Sequence, residues 1–94
     1  MSSDKSYFSI RPVADELHIR HLTVDEALLK LDKYLNDAFM TGRYQVKIIH
    51  GKGTGTLRQV VRKRLAEHSL VASYYPVGYG DGGAGVTMVE LAPK

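Results

Sequence analysis

The chain has 94 residues, 13 Lys and Arg against 10 Asp and Glu, a formal net charge of +3 and no cysteine. This length holds one two-layer core but no second domain or large buried active-site cavity. The missing cysteine excludes disulfides, cysteine-based zinc sites, iron-sulfur clusters and thiol catalysis, and no run is apolar enough for a leader or a membrane span. The expectation is a soluble cytoplasmic domain with no membrane partner.

Residues 1–14 show no periodicity and include Pro12, so they are expected to form a flexible arm ahead of a domain over 15–92. Glu16-Leu17-His18-Ile19-Arg20 alternates polar and apolar, which predicts a strand with Leu17 and Ile19 inward and His18 and Arg20 outward. Thr23 and Glu26 have the spacing of a capping box, opening a helix over about residues 24–41. Its apolar stripe runs through Val24, Ala27, Leu28, Leu31, Tyr34, Leu35, Ala38 and Phe39, and Gly42 offers a left-handed C-terminal cap. The β-branched stretch Gln45 to His50 predicts a second strand that runs into Gly51-Lys52-Gly53-Thr54-Gly55. Thr56 with Gln59 reads as another capping box. The helix it opens turns Leu57, Val60, Val61 and Leu65 inward and leaves Arg58, Arg62 and Lys63 to solvent. Val71 to Val77 predicts a third strand, residues 78–85 a glycine-rich loop, and Val86 to Leu91 a last strand. The order βαβαββ implies an α/β two-layer sandwich. Right-handed crossovers give the sheet a parallel core, the last strand can return antiparallel, and both helices share one face of a mixed four-stranded sheet.

Charge is segregated along the chain. From Arg43 through Ala66 there are seven cations, Arg43, Lys47, Lys52, Arg58, Arg62, Lys63 and Arg64, and no carboxylate. Such a block is either a solvated helix face or a phosphate-reading surface. A glycine-rich turn from strand into helix suits an anion, because backbone N–H groups and the positive helix end can converge on it. A tight structural turn is the alternative. The run is neither a P-loop nor the dinucleotide fingerprint, since no Lys-Ser or Lys-Thr follows its last glycine and Thr56 stands where the third fingerprint glycine belongs.

The run His50-Gly51-Lys52-Gly53-Thr54-Gly55 with Leu57-Arg58, followed far along by Gly82-Gly83-Ala84-Gly85-Val86-Thr87 and Val89-Glu90-Leu91, resembles the small MutS-related (Smr) domain family over about residues 16–91. The resemblance implies nucleic-acid binding, on DNA or RNA and in some members at ribosomes, with endonuclease or nicking activity. It also implies a place either in a longer MutS-type chain or in a free-standing protein. His50, Gly51, Gly53 and Gly55 fall on the family's HGxGxG motif, with Lys52 at its variable position. The first motif departs from the family. Leu-Asp-Leu-Arg-Gly or Leu-Asp-Leu-His-Gly is expected, whereas this chain has Leu17-His18-Ile19-Arg20-His21, keeping Arg20 but replacing the carboxylate by His18 and the glycine by His21.

Candidate catalytic residues are therefore His50, His18 and Arg20, expected to converge near the loop. A histidine there can serve as general acid or base while Arg20, Lys52 and loop N–H groups hold charge on the phosphorane. Candidate nucleic-acid contacts are Lys52, Gly51, Gly53, Gly55, Arg58, Arg62 and Lys63. No metal ligand set is read from the sequence. The family's strand-one carboxylate leaves a divalent ion such as Mg2+ as the only cofactor to consider. Asp81 is a weaker acid candidate, Glu90 reads as a surface or strand-edge residue, His68 as a partner for the end of the second helix, and Tyr74, Tyr75 and Tyr79 as strand residues or base-stacking platforms. Three classes stay open: a nuclease domain, a non-catalytic nucleic-acid or ribosome-contact module, and a protein-binding adaptor.

Overall fold

In the computed structural model, which describes residues 15–51, 55–77 and 85–93, the elements follow one another as β1 (Glu16–His18), α1 (Val24–Met40), β2 (Gln45–Ile49), α2 (Thr56–Glu67), β3 (Val71–Pro76) and β4 (Val86–Leu91). The arm expected over 1–14, and the glycine loop with Tyr79 and Asp81, lie outside the described residues. The four strands form one sheet in the order β1-β2-β4-β3. β1 runs parallel to β2, while β4 is antiparallel to both β2 and β3. The parallel core is thus a single pair. The crossover through α2 carries the chain two strand positions beyond β2, and β4, antiparallel to both neighbours, fills the gap between β2 and β3. Glu90 consequently lies on a central strand, which corrects the edge reading; its carboxylate accepts from Ser73 Oγ at 2.8 Å and from Gln45 Nε2 at 3.4 Å.

Local sequence explains α1. The Thr23 hydroxyl accepts the Glu26 N–H at 3.2 Å and the Glu26 carboxylate accepts the Thr23 N–H at 3.1 Å, closing the capping box. At the other end Gly42 N–H reaches Phe39 O at 3.1 Å and Arg43 N–H reaches Ala38 O at 3.0 Å. This Schellman pairing needs the left-handed Gly42, φ +82. α2 starts differently from expectation. Gly55, at φ +87, is the N-cap and no side chain caps the helix; Thr56 is already its first residue, so no Thr56–Gln59 box forms.

Both helices cover one sheet face. Ala27, Leu31, Leu35 and Ala38 from α1, Val61 and Leu65 from α2, and Ile19, Val46, Ile48, Val89 and Leu91 from the sheet make one buried cluster, with Leu17, Leu57 and Tyr74 packed against it. Alternation selects this set: cross-strand partners Val46 and Val89, and Ile48 and Thr87, share the helix side. Each fully buried Leu or Ile contributes about 1.5–3 kcal/mol of transfer free energy. The other face carries Gln45, Lys47, Ile49, Met88 and Glu90. α1 and α2 are joined by Arg64 Nη1 to Asp32 Oδ2 at 3.3 Å, with His68 Nε2 3.8 Å from Asp32 Oδ1. Such a half-exposed pair is worth about 0–1 kcal/mol.

Candidate nucleic-acid interface

The chemistry collects where β2 ends and α2 begins. His50 lies two residues beyond Ile48 and keeps its inward direction, so the imidazole sits under the turn, 3% exposed. Nδ1 lies 3.0 Å from Gly51 O and Nε2 lies 2.8 Å from Thr87 Oγ1. A carbonyl only accepts, so Nδ1 carries the proton and Nε2 accepts from the Thr87 hydroxyl. That hydroxyl oxygen in turn accepts from Arg62 Nε at 3.4 Å. The polar chain therefore runs in one direction, from Arg62 through Thr87 and His50 to Gly51.

Burial holds the His50 pKa below the ordinary histidine value, the positive charges of Arg62 and Arg58 push the same way, and the Gly51 carbonyl opposes them. The folded protein keeps this ring neutral under conditions where the unfolded chain binds a proton. The stability that follows is fully present above pH 6.5 and is lost as pH falls through the lower folded pKa. Urea denaturation between about pH 8 and pH 5 should show stability declining on the acid side, and His50→Gln should flatten that slope.

Backbone conformation fixes the turn. Gly51 has φ +80, and a Cβ there would stand 3.3 Å from Cβ of Arg20. Its N–H and that of His50 both donate to Gly85 O, each at 3.0 Å. At Gly51, then, the N–H points into the sheet, which narrows the anion cradle expected there. Lys52 and Gly53 lie outside the described residues. At Gly55 a Cβ would meet Arg58 Nη2 at 2.9 Å, so the guanidinium lies against the start of α2. The first turn of that helix has no acidic residue. Cationic side chains and the positive helix end thus add together.

Arg58 and Arg62 are four residues apart and share a helix face. Arg62 is not simply solvated, as its place in the helix pattern implied; it reaches back to β4. Lys63 is exposed and stands about 100° further round the axis. Arg64 turns to Asp32 and Arg43 to Asp15, so two of the seven cations are neutralised elsewhere.

His18 does not join this group. It pairs in register with Ile49, which sends it to the sheet face opposite His50, where its exposed Nε2 lies 3.2 Å from Glu16 Oε1. The expected convergence of His18 with His50 therefore fails, since residues in register share a face and His50 is one residue beyond. Arg20 follows β1 in a turn closed by Leu22 N–H to Ile19 O at 3.3 Å. His21, the third residue of that turn, has φ +73. Type II turns need positive φ there, which is why glycine suits the position and why a histidine is strained in it. Thr87 is the residue that sequence reasoning missed. Its signal was there, because it alternates with Val89 and Leu91 on the inward side of the last strand and a polar residue in that series needs partners.

Among the described residues no three His, Asp or Glu side chains come together in a group that could hold a metal ion. The described residues therefore offer no ligand set that fits a divalent ion. Nor, among the described residues, is any helix long and apolar enough to cross a membrane.

Compared with known proteins, the Smr domain family matches residues 17–92. The crystal structure of the Smr domain of Thermus thermophilus MutS2 is 44% identical, with a TM-score of 0.81 over 85% of this chain and 100% of that one. YdaL, a stand-alone small MutS-related protein from Escherichia coli, is 28% identical with a TM-score of 0.77 over 85% of this chain and 66% of that one. Endonuclease MutS2 of Pelotomaculum thermopropionicum is 49% identical over 82 residues, which are 87% of this chain and 10% of that protein. The chain thus spans about a tenth of the length of the curated relatives it matches. With the family matched over residues 17–92 and the fold shared with a solved Smr domain at 44% identity, the chain belongs to the Smr domain family.

Proposed function

We propose that this chain is a cytoplasmic nucleic-acid-binding domain with endonuclease (nicking) activity on DNA or RNA. The observation that carries the binding part is the cationic start of α2, where Arg58 lies against Gly55 and Arg62 is tied through Thr87 to the neutral His50. Phosphate oxygens suit that arrangement because guanidinium groups and a helix N-terminus offer charged donors on one side. Arg20, beside Gly51, extends the surface across the end of the sheet. The nuclease part draws on the relatives called Endonuclease MutS2.

A second reading, binding without cutting, is favoured by one specific observation. His18 stands where the family has a carboxylate and lies on the sheet face away from His50, so the two histidines do not form an acid-base pair. Incubating the purified protein with supercoiled plasmid and with single-stranded RNA, with and without EDTA, separates the readings. The expected result is conversion of plasmid to nicked circles or shortening of the RNA. Retention of nucleic acid with both substrates left intact selects the binding module, and failure to retain either rejects the proposal.

A further inference from the structure

We propose that Thr87 is a positioning residue whose hydroxyl aims Arg62 at phosphate, an inference that rests on the nucleic-acid reading of this surface. Thr87 is 0% exposed, in the helix-facing series of β4 between hydrophobic neighbours. Valine has the same branched shape and suits an inward strand position. A buried hydroxyl there is unfavourable unless its hydrogen bonds do something a methyl group cannot.

Those bonds have a fixed sense. Neutral His50, with its proton on Nδ1 and directed to Gly51 O, accepts a hydrogen bond from the Thr87 hydroxyl at Nε2. The lone pairs of Oγ1 are then left to face Arg62 Nε. An arginine held at Nε keeps its planar fork in one orientation, with the two terminal nitrogens turned away from the anchor. Free long side chains lose rotamer freedom on gripping a ligand, and an anchored one has already lost much of it. Arg58, on the same helix face one turn earlier, is the natural second arm of the contact. Thr87 touches no phosphate in this arrangement; it acts through Arg62.

Binding of a mixed-sequence single-stranded oligonucleotide, as DNA and as RNA, tests this with five variants. Arg62→Ala probes the underlying reading and should weaken binding about tenfold at low salt, uniformly across sequences. Thr87→Val should weaken it about three- to tenfold, Thr87→Ser should stay within about twofold, and Thr87→Val added to Arg62→Ala should cost less than about twofold more. Arg62→Lys, which keeps the charge and lacks the Nε anchor, should bind nearly as poorly as Arg62→Ala. This last variant leaves the core untouched, so it answers even if Thr87→Val folds badly. If Arg62→Ala has no effect, the phosphate reading falls and the positioning role with it. If Arg62→Ala weakens binding while Thr87→Val or Arg62→Lys binds like the natural protein, the reading stands and the positioning role is overturned. Equal losses in Thr87→Ser and Thr87→Val would likewise overturn it, by assigning the effect to shape and not to the hydroxyl.

Discussion

Replacing His50 with alanine is expected to lower stability by about 2–5 kcal/mol and to take nucleic-acid binding with it. The imidazole is 3% exposed and links the Gly51 carbonyl to the Thr87 hydroxyl. Removing it leaves a cavity. It also leaves a buried hydroxyl without its acceptor, and an unsatisfied buried group costs about 1–3 kcal/mol. Against a total stability of about 5–15 kcal/mol for an ordinary domain, a loss of this size is severe. Binding should follow because Arg62 loses the orientation that Thr87 gave it. His50→Asn, which can still donate near the Nδ1 position, and His50→Gln, which can still accept near Nε2, should fall between the natural protein and alanine. Urea midpoints, oligonucleotide affinity and plasmid nicking measured on the same preparations decide between this and direct catalysis. A histidine acting as general acid or base has a different signature: cutting falls by about 10² to 10⁴ while folding and affinity hold. That pattern would return His50 to the reacting phosphodiester and remove it as the support of the turn.

The parts of this molecule legible in its sequence are those decided locally. Thr23 and Glu26, the stripe from Ala27 to Ala38, and Gly42 are all within one helix length, and each behaves as its spacing implies. Gly55 shows how two local signals compete. Thr56 and Gln59 had the spacing of a box, but a left-handed glycine immediately before them starts the helix one residue earlier, and Thr56 enters it instead of capping it. What the sequence concealed depends on register between distant strands. Nothing in the spacing of His18 and His50 reveals that His18 pairs with Ile49, and that single offset places the two rings on opposite faces. Likewise β4 enters the sheet between β2 and β3 because of how far the α2 crossover travels, which no short-range pattern encodes. The His21 turn lies between these cases. The resemblance marked position 21 as a glycine site, and φ +73 supplies the physical reason.

Arg58→Ala combined with Arg62→Ala should lower affinity for a mixed oligonucleotide about 100-fold at low salt, since removing one charge-assisted hydrogen bond to phosphate weakens binding roughly tenfold or somewhat more. The salt dependence discriminates better than the affinity. Each phosphate neutralised by a cation releases about one condensed counterion. The natural domain, touching about three to five phosphates, should show a slope of that size in log affinity against log salt, and the double variant should lose about two units of it. Arg64→Ala is the internal control. Its guanidinium is held by Asp32 on the α1 side, so the same unit of charge removed there should leave the slope nearly unchanged. Net charge alone predicts otherwise, because long-range attraction weakens with the removal of any cation, wherever it sits. If Arg64→Ala lowers the slope as much as Arg58→Ala or Arg62→Ala, binding is a diffuse response to overall charge and the surface at the start of α2 has no special role. A flat salt dependence in the natural protein goes further. It would transfer the binding surface to the opposite sheet face, where Tyr75 stands 41% exposed with its hydroxyl 3.3 Å from Gln45 Nε2, and stacking on bases would then have to provide the affinity that phosphates do not.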